Sequence, residues 1–126
     1  MIRWLNDGVT APQGFSAGGM FCGIKKSKKF DLGILVSDRP CCVSAAFTQN
    51  RVKAAPVQHD LKVAKRKTVF GVVVNSGNAN ACTGTQGMKD AIEMTGLAEG
   101  ALHLPKGSML VSSTAENIGA SSGIPD

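Results

Sequence analysis

Tyrosine is missing from this sequence of 126 residues, and a single Trp stands beside five Phe. Rings this sparse do not alternate with basic residues, as a stacking platform for nucleic-acid bases requires. Histidine occurs only twice, as His59 and His103. Four cysteines are present (Cys22, Cys41, Cys42 and Cys82), but no pair has the C-x-x-C spacing of a zinc or redox site. Neither G-x-x-x-x-G-K-[ST] nor G-x-G-x-x-G appears, so the usual phosphate loops are excluded. No apolar run approaches the roughly 20 residues of a membrane helix. Residues 1–10 carry Arg3, Asn6 and Asp7 and lack the apolar stretch of a secretory signal. A cytoplasmic protein with reduced thiols is the expectation.

What is present is the composition of a folded domain, 43% hydrophobic and 18% charged. A chain near this length removes roughly two-thirds of its unfolded surface from water. The formal net charge is +5, concentrated in Lys25, Lys26, Lys28 and Lys29 and again in Lys62, Lys65, Arg66 and Lys67. Such clusters serve either phosphate backbones and acidic membranes or simply solvated turns, and the absence of interleaved aromatics favours the turns.

Fifteen glycines punctuate the chain. Residues 1–14 form an irregular lead-in. The Gly-rich segment 15–24 suits a strand that approaches other backbone closely, and 25–29 a turn. The run 32–37 is a strand and 43–47 a second, expected to pair antiparallel across the corner Asp38-Arg39-Pro40. Pro56 reduces 52–57 to an edge strand or connector, and 60–67 has a weak helical pattern. The sequence VFGVVV (69–74) is the strongest strand, expected to be buried on both faces. A helix over 86–102, capped by Thr83 or Thr85, and a last strand over 108–113 complete a βαβ unit with parallel strands. Hairpins followed by βαβ make an α+β architecture.

Two stretches carry candidate chemistry. The uncharged loop NSGNANACTG (75–84) either binds a ligand at the helix start or, as its three Asn favour, ties down a buried turn through side-chain to backbone hydrogen bonds. The hydroxyls of Ser112, Ser113 and Thr114 at a strand end either cap the next segment or donate to an oxyanion. His59 lies next to Asp60 without the context of a nucleophile, and His103, in LHLPKG, reads as a surface or capping residue.

Four stretches together resemble the amino-terminal half of the ornithine acetyltransferase family. They are GVTAPQGFSAGG (8–19), Gly-Ile-Lys-Lys with LVSDRP (23–26 and 35–40), FTQNRVKAAPV (47–57) and VVNSGNANACTGTQG (73–87). The resemblance implies an α+β fold of mixed sheets sandwiched by helices (an αββα arrangement), of which residues 1–126 form the α-chain-like portion of a single domain. It implies glutamate N-acetyltransferase chemistry in arginine biosynthesis. The acetyl group passes from N-acetylornithine, or from acetyl-CoA, to glutamate. The carrier is a Thr freed by self-cleavage of the precursor. No cofactor or metal is implied. The implied partners are a β-type chain in an α2β2 assembly and the small-molecule substrates, with no membrane and no nucleic acid.

In the family a Ser-Thr-Gly-Val-Ile-Gly motif closes the last of these strands, its Thr and Gly forming the oxyanion hole. Thr114 matches. Ala115 stands in place of the Gly, Glu116 follows, and one extra residue precedes Ile118. If that position needs a left-handed backbone, Ala costs roughly 1–2 kcal/mol. None of the seven Thr residues follows an Ala, as the cleavage pattern wants, so the chain is expected to lack the nucleophile and to be inactive alone. A catalytically silent assembly partner is the alternative, and a basic nucleic-acid-binding module a weaker one. Because the family's α portion packs against its β portion, the isolated chain is expected to dimerise or aggregate. Size-exclusion chromatography with light scattering measures this, and a monodisperse, cooperatively melting monomer is the opposing result.

Overall fold

A computed structural model describes residue 6, residues 8–66 and residues 68–114. Four strands form one mixed sheet in the order β1-β2-β3-β4: β1 is Phe15–Met20, β2 Leu32–Cys41, β3 Val69–Ser76 and β4 Met109–Thr114. The β1–β2 and β2–β3 pairs are antiparallel, and β3–β4 is parallel. Helix α1 (Ala55–Val63) and helix α2 (Gly84–Ala101) share one side of the sheet. The parallel β3-α2-β4 unit follows the expectation, because a crossover long enough for a helix is what parallel neighbours require.

Register fixes the two faces of the sheet. Val73 sits opposite Ile34 on one side and Val111 on the other. These residues point toward the helices, where Ala55, Val73, Ala91, Ala98, Met109 and Val111 form the core. The alternate set, Leu35, Val72, Val74 and Leu110, shares the opposite face and is only half-buried. The expectation that β3 is buried on both faces is therefore corrected. Helices cover one side, and the described residues leave the other open.

Further readings are corrected. The Asp38-Arg39-Pro40 corner lies inside β2, which reaches Cys41. Register slips between Val36 and Cys41, so this stretch bulges out of the ladder and Pro40 has no N–H to leave unpaired. Segment 43–47 forms no strand, since both edges of β2 are already taken by β1 and β3. Pro56 starts α1 instead of blocking a strand. At the first helical positions its missing N–H would have had no intrahelical partner anyway, and its fixed φ suits the helix. The buried positions Ala55, His59 and Val63 recur every fourth residue. The close backbone approach expected of this Gly-rich strand is met at Gly19 only by an ordinary contact, a Cβ lying 3.4 Å from the Leu32 carbonyl oxygen, and at Gly18 not at all. A Cβ at Gly18 would meet nothing within 4 Å, so β1 leaves the sheet's edge thin and exposed.

Helix α2 stops as a Schellman motif. Leu104 N–H donates to the Glu99 carbonyl (2.8 Å) and His103 N–H to that of Gly100 (3.2 Å). His103 takes the left-handed position at φ 55 and is exposed, in keeping with a capping residue. One turn earlier the Glu99 side chain, 3% exposed, accepts the N–H groups of Gly107 (3.0 Å), Ser108 (2.8 Å) and Met109 (3.0 Å). This carboxylate anchors the end of α2 to the start of β4. Glu99→Ala is expected to lower stability by about 3 kcal/mol or more, because two buried donors and one half-buried donor lose a charged acceptor. Ser108→Ala, which removes a buried hydroxyl without a partner, is expected to be neutral or stabilising. Urea unfolding of both variants checks the contrast.

Candidate functional site

The carboxy-terminal ends of the parallel strands β3 and β4 lie side by side, with Asn75 opposite Ser113 and Ser76 opposite Thr114. Ligands of open sheets with crossover helices gather at such strand ends. Immediately after β3 the chain turns at Gly77, whose N–H donates to the Thr114 carbonyl at 2.8 Å. The Asn-rich loop and Thr114 are thus neighbours. Alternation along β4 sends Thr114 and Ser112 to the open face and Ser113 to the helix side. Ala115, the other candidate position, and Glu116 lie outside the described residues.

The Asn side chains form the turn's internal framework. Asn75 Nδ2 donates to the Asn78 carbonyl (2.9 Å), and Asn80 N–H to Asn78 Oδ1 (3.2 Å). Asn80 Nδ2 donates to the Gly87 carbonyl (2.7 Å), while its Oδ1 accepts the Thr83 hydroxyl (2.6 Å). Asn75, Asn78 and Asn80 are all buried. The reading of a tied-down turn is the one the geometry supports. Thr83 does occupy the cap position of α2, but its side chain makes no capping bond, because it is engaged with Asn80.

On the helix side, the Asn residues form the polar end of a cleft of about 480 Å³ between α2 and the β1–β2 half of the sheet. Leu32, Ile34, Met94 and Leu97 line its apolar length. Leu97 is 63% exposed, and Ile92 on the same helix 55%.

Asp31, 2% exposed, lies beside this end of the sheet. Its carboxylate accepts the N–H groups of Cys22 (2.6 Å) and Lys25 (2.9 Å). Burial alone would raise its pKa, but the N–H groups of Lys25, Cys22 and Ile24 and its own outweigh that and hold it below the usual carboxylate value. Burial, then the Asp31 charge, pushes the Cys22 thiol up and so away from thiolate reactivity.

The sequence reading missed a line of side chains elsewhere. His59 Nδ1 lies 3.0 Å from Asp60 Oδ1, and His59 Nε2 lies 3.5 Å from Thr95 Oγ1. The order resembles a nucleophile, base and acid, but the Thr95 hydroxyl already donates to the carbonyls of Ala91 (3.2 Å) and Ile92 (2.9 Å) and is 3% exposed. Asp60 Oδ1 also accepts the Val111 N–H (3.0 Å). The line joins α1, α2 and β4, and sequence adjacency of His59 and Asp60 was its only visible signal. His103 serves the end of α2.

The family model described as the ArgJ family matches residues 16–121. The chain belongs to the ArgJ family. It is 47% identical over 110 residues to the arginine biosynthesis bifunctional protein ArgJ of Caldanaerobacter subterraneus, covering 87% of this chain and 27% of that protein. It is 44% identical to the mitochondrial ArgJ of Candida tropicalis, covering 90% and 31%. Among solved structures, ArgJ of Bacillus halodurans superposes with a TM-score of 0.80 at 36% identity, over 89% of this chain and 58% of that one. The ornithine acetyltransferase of Mycobacterium tuberculosis, solved in complex with ornithine, gives the same TM-score and identity over 93% and 63%. The chain therefore spans less than a third of the length of the curated ArgJ relatives. The α+β fold of the ArgJ structures is shared, with one sheet and one helix layer among the described residues. No helix among them is long and apolar enough to cross a membrane.

Gly87 marks how tightly this loop is built. A Cβ there would overlap Thr83 Oγ1 and Asn80 Oδ1. Gly87→Ala is expected to cost about 1–3 kcal/mol and to loosen residues 75–87 first, measurable by hydrogen exchange at the Asn80 and Gly87 amides.

Proposed function

We propose that this chain is the amino-terminal, α-type portion of a cytoplasmic acetyltransferase that carries acetyl from N-acetylornithine, or from acetyl-CoA, to glutamate in arginine biosynthesis. The single observation that carries the reading is the placement of Thr114. It stands exposed at the end of β4, on the open face of the sheet, with its carbonyl held by Gly77 N–H. Donors fixed at such a strand end stabilise negative charge on a carbonyl oxygen without reorganising during reaction. The membership in the ArgJ family and the likeness to the ornithine-bound structure supply the substrate class.

The chemistry divides between two chains. A Thr hydroxyl at the start of a self-cleaved β-type chain attacks the acetyl carbonyl, its proton passing to that chain's α-amine. Thr114 stabilises the resulting oxyanion, a role that the resemblance to the family motif extends to position 115. Collapse breaks the amide C–N bond, and ornithine leaves with the proton. The glutamate amine then attacks the acetyl-Thr ester, restoring the hydroxyl. Residues 1–126 form one part of a single domain, completed by the β-type chain in an α2β2 assembly. The half-buried Leu35, Val72, Val74 and Leu110 suit that contact, since covering them adds the remaining part of the roughly 1.5–3 kcal/mol that full burial of each such side chain is worth.

The test is co-expression with the portion of the Caldanaerobacter relative that this chain does not match. The purified chain alone is expected to give no transfer from N-acetylornithine to glutamate, and the complex to give it. In the complex, Thr114→Ala is expected to lower kcat by about 10²–10³. Turnover by the chain alone, or full activity of the Thr114 variant, refutes the assignment. A second reading, a catalytically silent assembly partner, is favoured by Ala115 and Glu116 standing where the family motif has Gly and Val. A stable complex without transfer is its signature.

A further inference from the structure

We infer that Asp31 is a positioning residue for Thr114, acting through the turn at residues 22–25 and through Gly77; the inference rests on the acetyltransferase reading above. Asp31 is a buried carboxylate that forms no ion pair among the described residues. Both its oxygens are spent on backbone, Oδ1 on Cys22 N–H and Oδ2 on Lys25 N–H. The turn so closed presents Ile24 and Lys25 to Gly77. A Cβ on Gly77 would come within 3.0 Å of Ile24 Cγ2 and 3.0 Å of Lys25 Cγ, and its φ of +119 is one that L side chains rarely adopt. Gly77 is therefore pressed between the turn and β4, and its N–H meets the Thr114 carbonyl at 2.8 Å.

The same residue acts a second time through its backbone. The Asp31 carbonyl accepts Ser76 N–H at 2.8 Å, and its own N–H donates to the Met20 carbonyl at 3.0 Å. Ser76 is the register partner of Thr114. Asp31 thus fixes residue 76 directly and residue 77 by way of the turn, and these are the two residues against which the end of β4 rests. Donors for an oxyanion have to be held at a fixed place before the charge develops. A charged acceptor gives shorter and stronger bonds than a neutral one, which accounts for a carboxylate at a turn that a neutral side chain could also span.

Asp31→Asn keeps the size but turns one acceptor into a donor facing an N–H. In the complex that transfers acetyl, this variant is expected to lower kcat by up to about 10²-fold at unchanged KM, the loss typical of a misplaced reacting group. Hydrogen exchange of the same variant is expected to rise at the Gly77 amide while the amides of Val73 and Val111 keep their protection. Gly77→Ala disturbs the same contact with Asp31 intact and is expected to give the same pair of effects. Unchanged exchange at Gly77 in Asp31→Asn breaks the proposed linkage. Exchange that rises equally along β3 and β4 makes Asp31 merely structural and overturns the inference. Local loosening with unchanged kcat also overturns it. Absence of transfer by the unsubstituted complex sinks instead the acetyltransferase reading, and is recognised before any variant is made.

Discussion

The side chain and backbone of Asn80 hold the helix layer to the sheet. Its carbonyl accepts the Ala55 N–H at the start of α1 (3.3 Å), which satisfies a donor that a helix start cannot satisfy internally. Its amide nitrogen reaches into the first turn of α2 at Gly87, and its amide oxygen takes the Thr83 hydroxyl just before that helix. The backbone there is left-handed, with φ 47, a conformation that Asn tolerates better than most residues. One residue therefore fixes where both helices begin relative to the exit of β3. The packing of α1 on α2, the seating of Ala91 and Ala98 over Val73, and the place of β4 beside β3 all follow from that origin.

The β3-loop-α2-β4 unit was legible because its signals are local. A continuous β-branched run, a small-residue loop and a helical period each lie within one segment. Reading failed where partners decide. Segment 43–47 has the pattern of a strand but no free edge of β2 to join, and Pro56 marks a helix start only when the residues after it supply a buried stripe at Ala55, His59 and Val63. Asp38-Arg39-Pro40 looks like a corner until the slip in register shows β2 carrying it as a bulge.

The candidate site divides in the same way. Thr114 was named from its place at a strand end and then from a motif, and its approach to the Asn loop came with the parallel register of β3 and β4. The framework role of Asn75, Asn78 and Asn80 was legible in the residue types themselves. Asp31 and Glu99 carried no signal. Each is a lone acidic residue between apolar and glycine neighbours in sequence, and each becomes special only when folding collects backbone N–H groups from 6 to 10 residues away around it.

The open face of the sheet has a thermodynamic corollary. Leu35, Val72, Val74 and Leu110 contribute only part of their transfer free energy while half-buried, so the native state is a platform that any complementary surface favours over the unfolded chain. Folding and association then become linked equilibria. The midpoint of unfolding shifts with the concentration of whatever binds that platform, by roughly 2.7 kcal/mol of added stability at a hundredfold excess over its Kd.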